Sequence, residues 1–206
     1  MDPDPGEAKM TSPTSNESTR ERTPYLLGEM PLGSAMQTTD ERLVHAPVPL
    51  IFDIARQVEL WPGYLSHYRW VRFRERATDG GGLVEMSAWR PLGSLPGGWP
   101  TWWLSEMAVD PVRPAIRFRH VGGITREMEV EWSFHPRPEG ALVRIVHVWN
   151  GPHWPIIGVV AATSVIGPLF IRAIAQRTLR GLGRVAEEEE KRVQGAGCRA
   201  QGISSG

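Results

Sequence analysis

The segment Arg126–Phe134 alternates without a break. Met128, Val130, Trp132 and Phe134 fall on one side, and Glu127, Glu129, Glu131 and Ser133 on the other. A period of two is the spacing of a β-strand with one buried and one wet face. A strand of this kind needs paired neighbours and a hydrophobic layer to cover its apolar face. The rest of the chain must supply both.

The neighbours are legible on either side. Strands are expected over Thr38–Ala46, Tyr68–Arg76, Leu83–Arg90, Thr101–Val109, Ala115–Val121 and Ala141–Asn150. Asp79-Gly80-Gly81-Gly82, Asp110–Pro114, Gly122-Gly123 and Pro136–Gly140 separate them as turns. Strands joined by such short turns form an antiparallel meander. Pro49–Gln57 reads as a short helix, with Pro in its first turn and Leu50, Ile51 and Ile54 on one face. A second short helix or turn is expected around Glu59–Leu65.

From Pro155 the pattern becomes helical. Ile171, Ala175, Thr178, Leu182 and Val185 recur every three or four residues, opposite Arg172, Gln176, Arg180 and Arg184. This amphipathic helix is what remains to cover the apolar face of the meander. The run Glu187–Glu190 reads as a solvated helix end. A curved sheet closed over by one helix leaves space between the layers, mostly apolar and suited to a small molecule.

Composition narrows the function. Formal net charge is zero, so no general electrostatic attraction draws the chain to nucleic acid. Nine tryptophans suit a deep core and the walls of a pocket. The single cysteine, Cys198, excludes a disulfide framework, and no metal-ligand spacing, phosphate loop or nucleophile elbow is present. Met1–Arg22 is polar and lacks the apolar stretch of a signal peptide, so a cytoplasmic location is expected. Residues 1–36 and 194–206 are expected to be disordered tails around one domain over 37–193. The uncharged stretch Pro155–Ile171 is shorter than the ~20 residues of a membrane span. It reads as a kinked helix over the cavity or, alternatively, as a peripheral membrane contact. Oligomeric state is left open.

Several segments carry a family resemblance. Val44-His45-Ala46-Pro47, then Phe52-Asp53 and Trp61-Pro62, resemble the start of the polyketide cyclase/dehydrase branch of the START-like superfamily. Met128-Glu129-Val130-Glu131-Trp132 and Val143-Arg144-Ile145-Val146-His147 resemble its last two strands. The resemblance implies an α+β helix-grip fold: a curved antiparallel sheet of about seven strands, two short helices, and a long C-terminal helix over a cavity. It also implies which residues face that cavity. Trp103, Ser105 and Met107 would do so from the fourth strand, and Ile116, Phe118 and His120 from the fifth. Met128, Val130 and Trp132 would follow from the sixth, and Val143, Ile145, His147 and Trp149 from the seventh. The third strand leaves its phase open, with Met86, Ala88 and Arg90 the preferred inward set.

Two functions stay open. The first is a non-catalytic binder or carrier of a lipid, quinone or polyketide-type molecule, needing no cofactor. The second is a polyketide cyclase/dehydrase-like enzyme. Aromatase/cyclases of the family commonly carry an arginine two residues after a serine on the fourth strand, where it polarises ketone oxygens. The matching residue after Ser105 is Met107, which favours the binder. For the enzyme, Arg90 would replace the missing cation, His147 would act as acid or base, and Tyr68 would donate a hydrogen bond or act as a weak acid. Their bland alternatives are a solvent-reaching arginine, a satisfied core histidine and an edge-strand tyrosine. His120 has a weaker case of the same kind as His147.

Overall fold

The computed structural model describes residues 22–90, 98–151 and 171–202, apart from the side chains of Arg90, Trp99 and residues 197–202. The elements run β1 (Met36–Val44), α1 (Val48–Arg56), a 3-10 turn (Val58–Leu60), α2 (Trp61–Tyr64), β2 (Tyr68–Arg76), β3 (Gly82–Arg90), β4 (Trp99–Asp110), β5 (Ala115–Gly123), β6 (Glu129–Arg137), β7 (Gly140–Trp149) and α3 (Arg172–Gly202). The seven strands form one sheet in the order β1-β7-β6-β5-β4-β3-β2. Every adjacent pair is antiparallel. The expected meander therefore runs from β2 to β7, and β1 closes onto β7.

Register explains why one face is core. Trp132 sits opposite Ile116 on β5 and Ile145 on β7, and Val130 sits opposite Phe118 and His147. Apolar rows thus run across three strands, and cross-strand pairs of this kind are what stabilise a sheet. Helix α1 packs on this face through Ile51, Phe52 and Ala55, which are buried. Phe52 meets Phe134 edge-on, with ring centroids 5.4 Å apart.

The strand expected over Arg126–Phe134 starts three residues later, at Glu129. Its phase is nevertheless as expected, with Met128, Val130, Trp132 and Phe134 all buried. The difference lies in the backbone. Glu127 has a φ of 69°, in the left-handed region that breaks a regular ladder. His120 N–H still donates to the Met128 carbonyl at 2.9 Å, and Glu127 N–H to the His120 carbonyl at 2.8 Å. Met128 therefore points inward from the turn rather than from the strand.

The outer face is charged and internally paired. Glu129 accepts from Arg119 at 2.6 Å and from Arg117 at 3.1 Å. Glu85 is held by Arg72 at 2.7 Å, Arg74 at 2.6 Å and the Trp102 indole at 2.6 Å. These partners hold the Glu85 carboxyl at about 2, against the desolvation that would raise it. Residues 22–35, expected within the N-terminal tail, lie along this face. Arg22 bridges Ala77, Leu27 is buried, and Arg119 and Arg117 donate to the Leu27 and Gly28 carbonyls at 2.8 Å each. Arginines of β5 thus satisfy backbone that composition alone assigns to a disordered tail.

Helix α3 covers the concave face. Ile171, Ala175, Thr178, Leu179, Leu182 and Ala186 are buried, while Arg172, Gln176, Arg180 and Arg184 are exposed. Val185, expected on the apolar stripe, is only half-buried because Ala186 takes that register. The helix runs through Gly202, past the boundary expected at residue 193. Gly181 lets it approach closely: a Cβ there would lie 2.1 Å from Leu65 Cδ2. On the β1 side, buried Asp40 accepts from Gln176 at 3.2 Å and pairs with Arg172 at 3.5 Å. Among the described residues, no helix is long and apolar enough to cross a membrane. Of the stretch 155–171, only Ile171 lies within the described residues.

Candidate functional site

Between the concave face and α3 lies a cavity of about 90 Å³. Trp61, Tyr68, Met86, Trp103, Phe118, Met128, Val130, Trp132 and Ile145 give it an apolar, largely aromatic wall. Helix α3 contributes Ile174, Ala175 and Thr178, with Ile171 just before it. The rings pack on one another as well as on the cavity. Trp61 meets Tyr68 edge-on at 5.2 Å and Trp132 at 5.5 Å. Such contacts make a stiff wall, because each ring limits the rotation of the next.

Polar groups are few and each has an identified position. His120 stacks on Trp103 with centroids 5.9 Å apart, and its Nδ1 lies 2.7 Å from the Thr125 hydroxyl. His147 Nδ1 lies 3.4 Å from the Thr38 hydroxyl of β1. Burial, and then the neighbouring His147, push the His120 imidazole down to about 3. Burial alone pushes His147 down to about 4. Tyr68 is raised above the ordinary phenol range by burial. All three side chains are therefore uncharged at neutral pH. Among the described residues, the wall holds no Asp, Glu, Lys or Arg.

Of the residues expected at the site, Tyr68, Trp103, Phe118, His120, Met128, Val130, Trp132, Ile145 and His147 are brought together in the wall. Ser105, Met107 and Trp149 are buried on the same face but do not line the cavity. Their phase is as expected; their position along the strand is not, because the concave face is longer than the cavity. Met107 belongs to the packed core. Ser105 is fully buried, and its hydroxyl has no hydrogen-bond partner among the described residues. The Trp149 indole donates to the Arg126 carbonyl at 2.8 Å, which fixes the β5–β6 turn rather than a ligand. Arg90 ends β3 opposite Trp99, and its side chain lies outside the described residues.

Other wall residues were not singled out from sequence. Trp61 lay in the Trp-Pro motif but was not assigned a place in the pocket. Ile124 and Thr125 sit in the β5–β6 turn, where no periodicity announces them. Ile171, Ala175 and Thr178 were visible as the apolar stripe of the helix. A stripe that covers a cavity also lines it, and that signal was available.

Comparison with known proteins follows the same lines. Residues 44–166 match the model of a family described as polyketide cyclase/dehydrase and lipid transport. A Streptomyces halstedii protein provisionally named a polyketide cyclase is 29% identical over 111 residues, covering 53% of this chain and 97% of that protein. The di-domain aromatase/cyclase StfQ of the steffimycin biosynthetic pathway superposes with a TM-score of 0.61 at 19% identity, over 74% of this chain and 51% of StfQ. The chain thus spans about half of that two-domain protein. A START superfamily protein of Mycobacterium smegmatis superposes with a TM-score of 0.52 at 17% identity, over 77% of this chain and 97% of that one. The two structural likenesses establish a shared helix-grip fold.

Proposed function

The chain belongs to the polyketide cyclase/dehydrase and lipid transport family, and on that premise we propose that it binds an uncharged hydrophobic or aromatic small molecule in the cavity beneath α3, as a carrier or binder. The observation that carries this reading is the absence of charge in the wall among the described residues. An apolar cavity with neutral imidazoles accepts a ligand that hydrogen-bonds through one or two oxygens. It disfavours an anion, whose desolvation no wall cation would offset. The aromatic wall suits flat rings. Lipids, quinones and polyketide-type aromatics are the candidate classes.

A second reading is an acid/base enzyme of the cyclase/dehydrase type, acting in the same cavity. It draws support from two histidines close enough for one to shift the other, both in the wall with Tyr68. Enolisation next to a ketone needs a donor where negative charge develops and a group that moves the proton. His147 would serve as the latter and Arg90 as the former. An imidazole held near 4 is a weak base at neutral pH, so the binder is the preferred reading.

The test is a titration of intrinsic Trp fluorescence with fatty alcohols, quinones and aromatic polyketides, beside a turnover assay on a poly-β-ketone surrogate. Saturable quenching without turnover is expected. Turnover lost in His147→Ala would favour the enzyme, and no saturable quenching by any class would overturn binding in the cavity.

A further inference from the structure

The outward face of α3 carries a charge pattern that folding does not require. Arg172, Arg177, Arg180 and Arg184 are exposed, and no Asp or Glu occurs between Arg172 and Ala186. Given the helical period, Arg177, Arg180 and Arg184 lie opposite the buried stripe of Ala175, Leu179, Leu182 and Ala186. They form one row on the solvent side, beginning where Ile174 and Thr178 line the cavity. Arg177 and Arg180 are three residues apart, and Arg180 and Arg184 four. Like charges at these spacings repel across one helical turn and weaken the helix.

The carboxylates nearby are engaged with other partners. Arg172 pairs with buried Asp40 at 3.5 Å, and Arg184 with Glu188 at 3.0 Å. On the elements packed against α3, Asp53 of α1 holds Arg56 and Gln57, and Glu41 of β1 holds Arg144. Glu187 accepts from the His45 backbone N–H. Helix α2 has no charged residue. Among the described residues, Arg177 and Arg180 have neither a hydrogen bond nor an ion pair. Two uncompensated positive charges thus face water in a chain of zero formal net charge. Other exposed arginines, such as Arg56, Arg72, Arg74 and Arg144, are each paired.

We infer that the row of Arg177, Arg180 and Arg184 is a docking face for a bilayer surface rich in anionic phospholipid, which sets the helix over the cavity against lipid. Guanidinium groups pair with phosphate through two parallel hydrogen bonds. Each uncompensated arginine near an anionic membrane strengthens the attraction by about fivefold. An acidic protein would meet the same charge, but the sequence favours lipid. Residues 155–171 carry no charge and end directly before Arg172. An apolar run joined to a basic helical face is the composition of an interfacial anchor. The docking face is a surface separate from the cavity and does not depend on what the cavity binds.

The test is sedimentation of the full chain with sucrose-loaded vesicles at low salt, of phosphatidylcholine alone and of phosphatidylcholine mixed with phosphatidylglycerol. Wild type is expected to bind the anionic vesicles about twentyfold more tightly than the neutral ones, the product of two such factors, and to lose most of that preference in added salt. Arg177→Glu/Arg180→Glu is expected to bind both vesicles equally, and Arg177→Gln/Arg180→Gln to fall between it and wild type. Both sites are exposed, so circular dichroism should show the helix kept. Arg113→Glu/Arg137→Glu makes the same change in net charge at the β4–β5 and β6–β7 turns and should bind like wild type. Equal binding of wild type to both vesicles, an α3 variant that binds like wild type, or an equal loss in the turn variant overturns the inference. Capture on polyglutamate beads without vesicle binding would assign the row to an acidic protein and overturn it as well. Quenching of Trp fluorescence by cavity ligands is read separately, so the cavity reading stands or falls on its own.

Discussion

The His120 imidazole lies nearly parallel to the Trp103 indole, with ring centroids 5.9 Å apart and planes inclined by 14°. The stack fixes the plane of the imidazole, and Thr125 at 2.7 Å fixes its rotation within that plane. Burial keeps the ring neutral, well below the ordinary histidine range. Removing the indole in Trp103→Leu is expected to admit water and raise the His120 pKa towards its ordinary value. Imidazole ¹⁵N shifts followed by NMR from pH 7.5 to 5 check this. Wild-type His120 should stay neutral throughout, and the variant should begin to titrate. Identical curves would show that the stack does not shield the ring.

The same burial makes folding pH-dependent. His67, His120 and His147 have folded values lowered to about 4, about 3 and about 4, from 6.5. Above 6.5 both folded and unfolded chains hold these rings neutral, and stability is unaffected. Below it the unfolded chain takes up protons that the folded chain refuses until its own lowered values are reached. Stability therefore falls as pH drops, by up to about 1.4 kcal/mol per pH unit for each histidine. Urea midpoints should decline between pH 7 and 5, and His147→Gln should flatten that decline. A midpoint constant over this range would mean that the imidazoles are accessible to protons in the native state.

Trp132 joins cavity and core. It lines the wall, touches Trp61 at 5.5 Å and lies opposite Ile116 and Ile145. Trp132→Ala should cost ~3–5 kcal/mol of stability, the usual range for truncating a buried aromatic. An unchanged urea midpoint would contradict its burial.

Two glycines of α3 are expected to respond in opposite directions to alanine. At Gly195 a Cβ meets nothing within 4 Å, so the gain in helix propensity should stabilise by up to ~1 kcal/mol. At Gly181 the new Cβ would overlap buried Leu65. Overpacking of this kind typically costs ~1–3 kcal/mol, enough to outweigh the same propensity gain. Thermal melts of both variants decide it. A stabilised Gly181→Ala would show that α3 can shift outward freely.

Much of this fold was legible because period-two and period-3.6 patterns are statements about which atoms avoid water. Met128, Val130 and Trp132 lie on the face that alternation assigns them, and Ile145 and His147 on the face the family resemblance implies. Alternation fixes the face but not the place along it. Ser105 and Met107 share the phase of Trp103, yet they are core rather than cavity wall. The strand boundary at Glu129 followed from one left-handed residue, Glu127, which no apolar pattern marks. Thr125 reaches the site from a turn, and turns carry no periodicity.

The cavity wall draws on the described part of the C-terminal helix only as far as Thr178, and the last buried residue there is Ala186. Lys191 to Ala196 are exposed throughout. The far end of the helix is therefore a handle rather than a wall. A protease cutting after Lys191 or Arg192 would shorten the molecule without unsealing the pocket, and a dye or tether attached around Gly195 would leave the wall contacts intact.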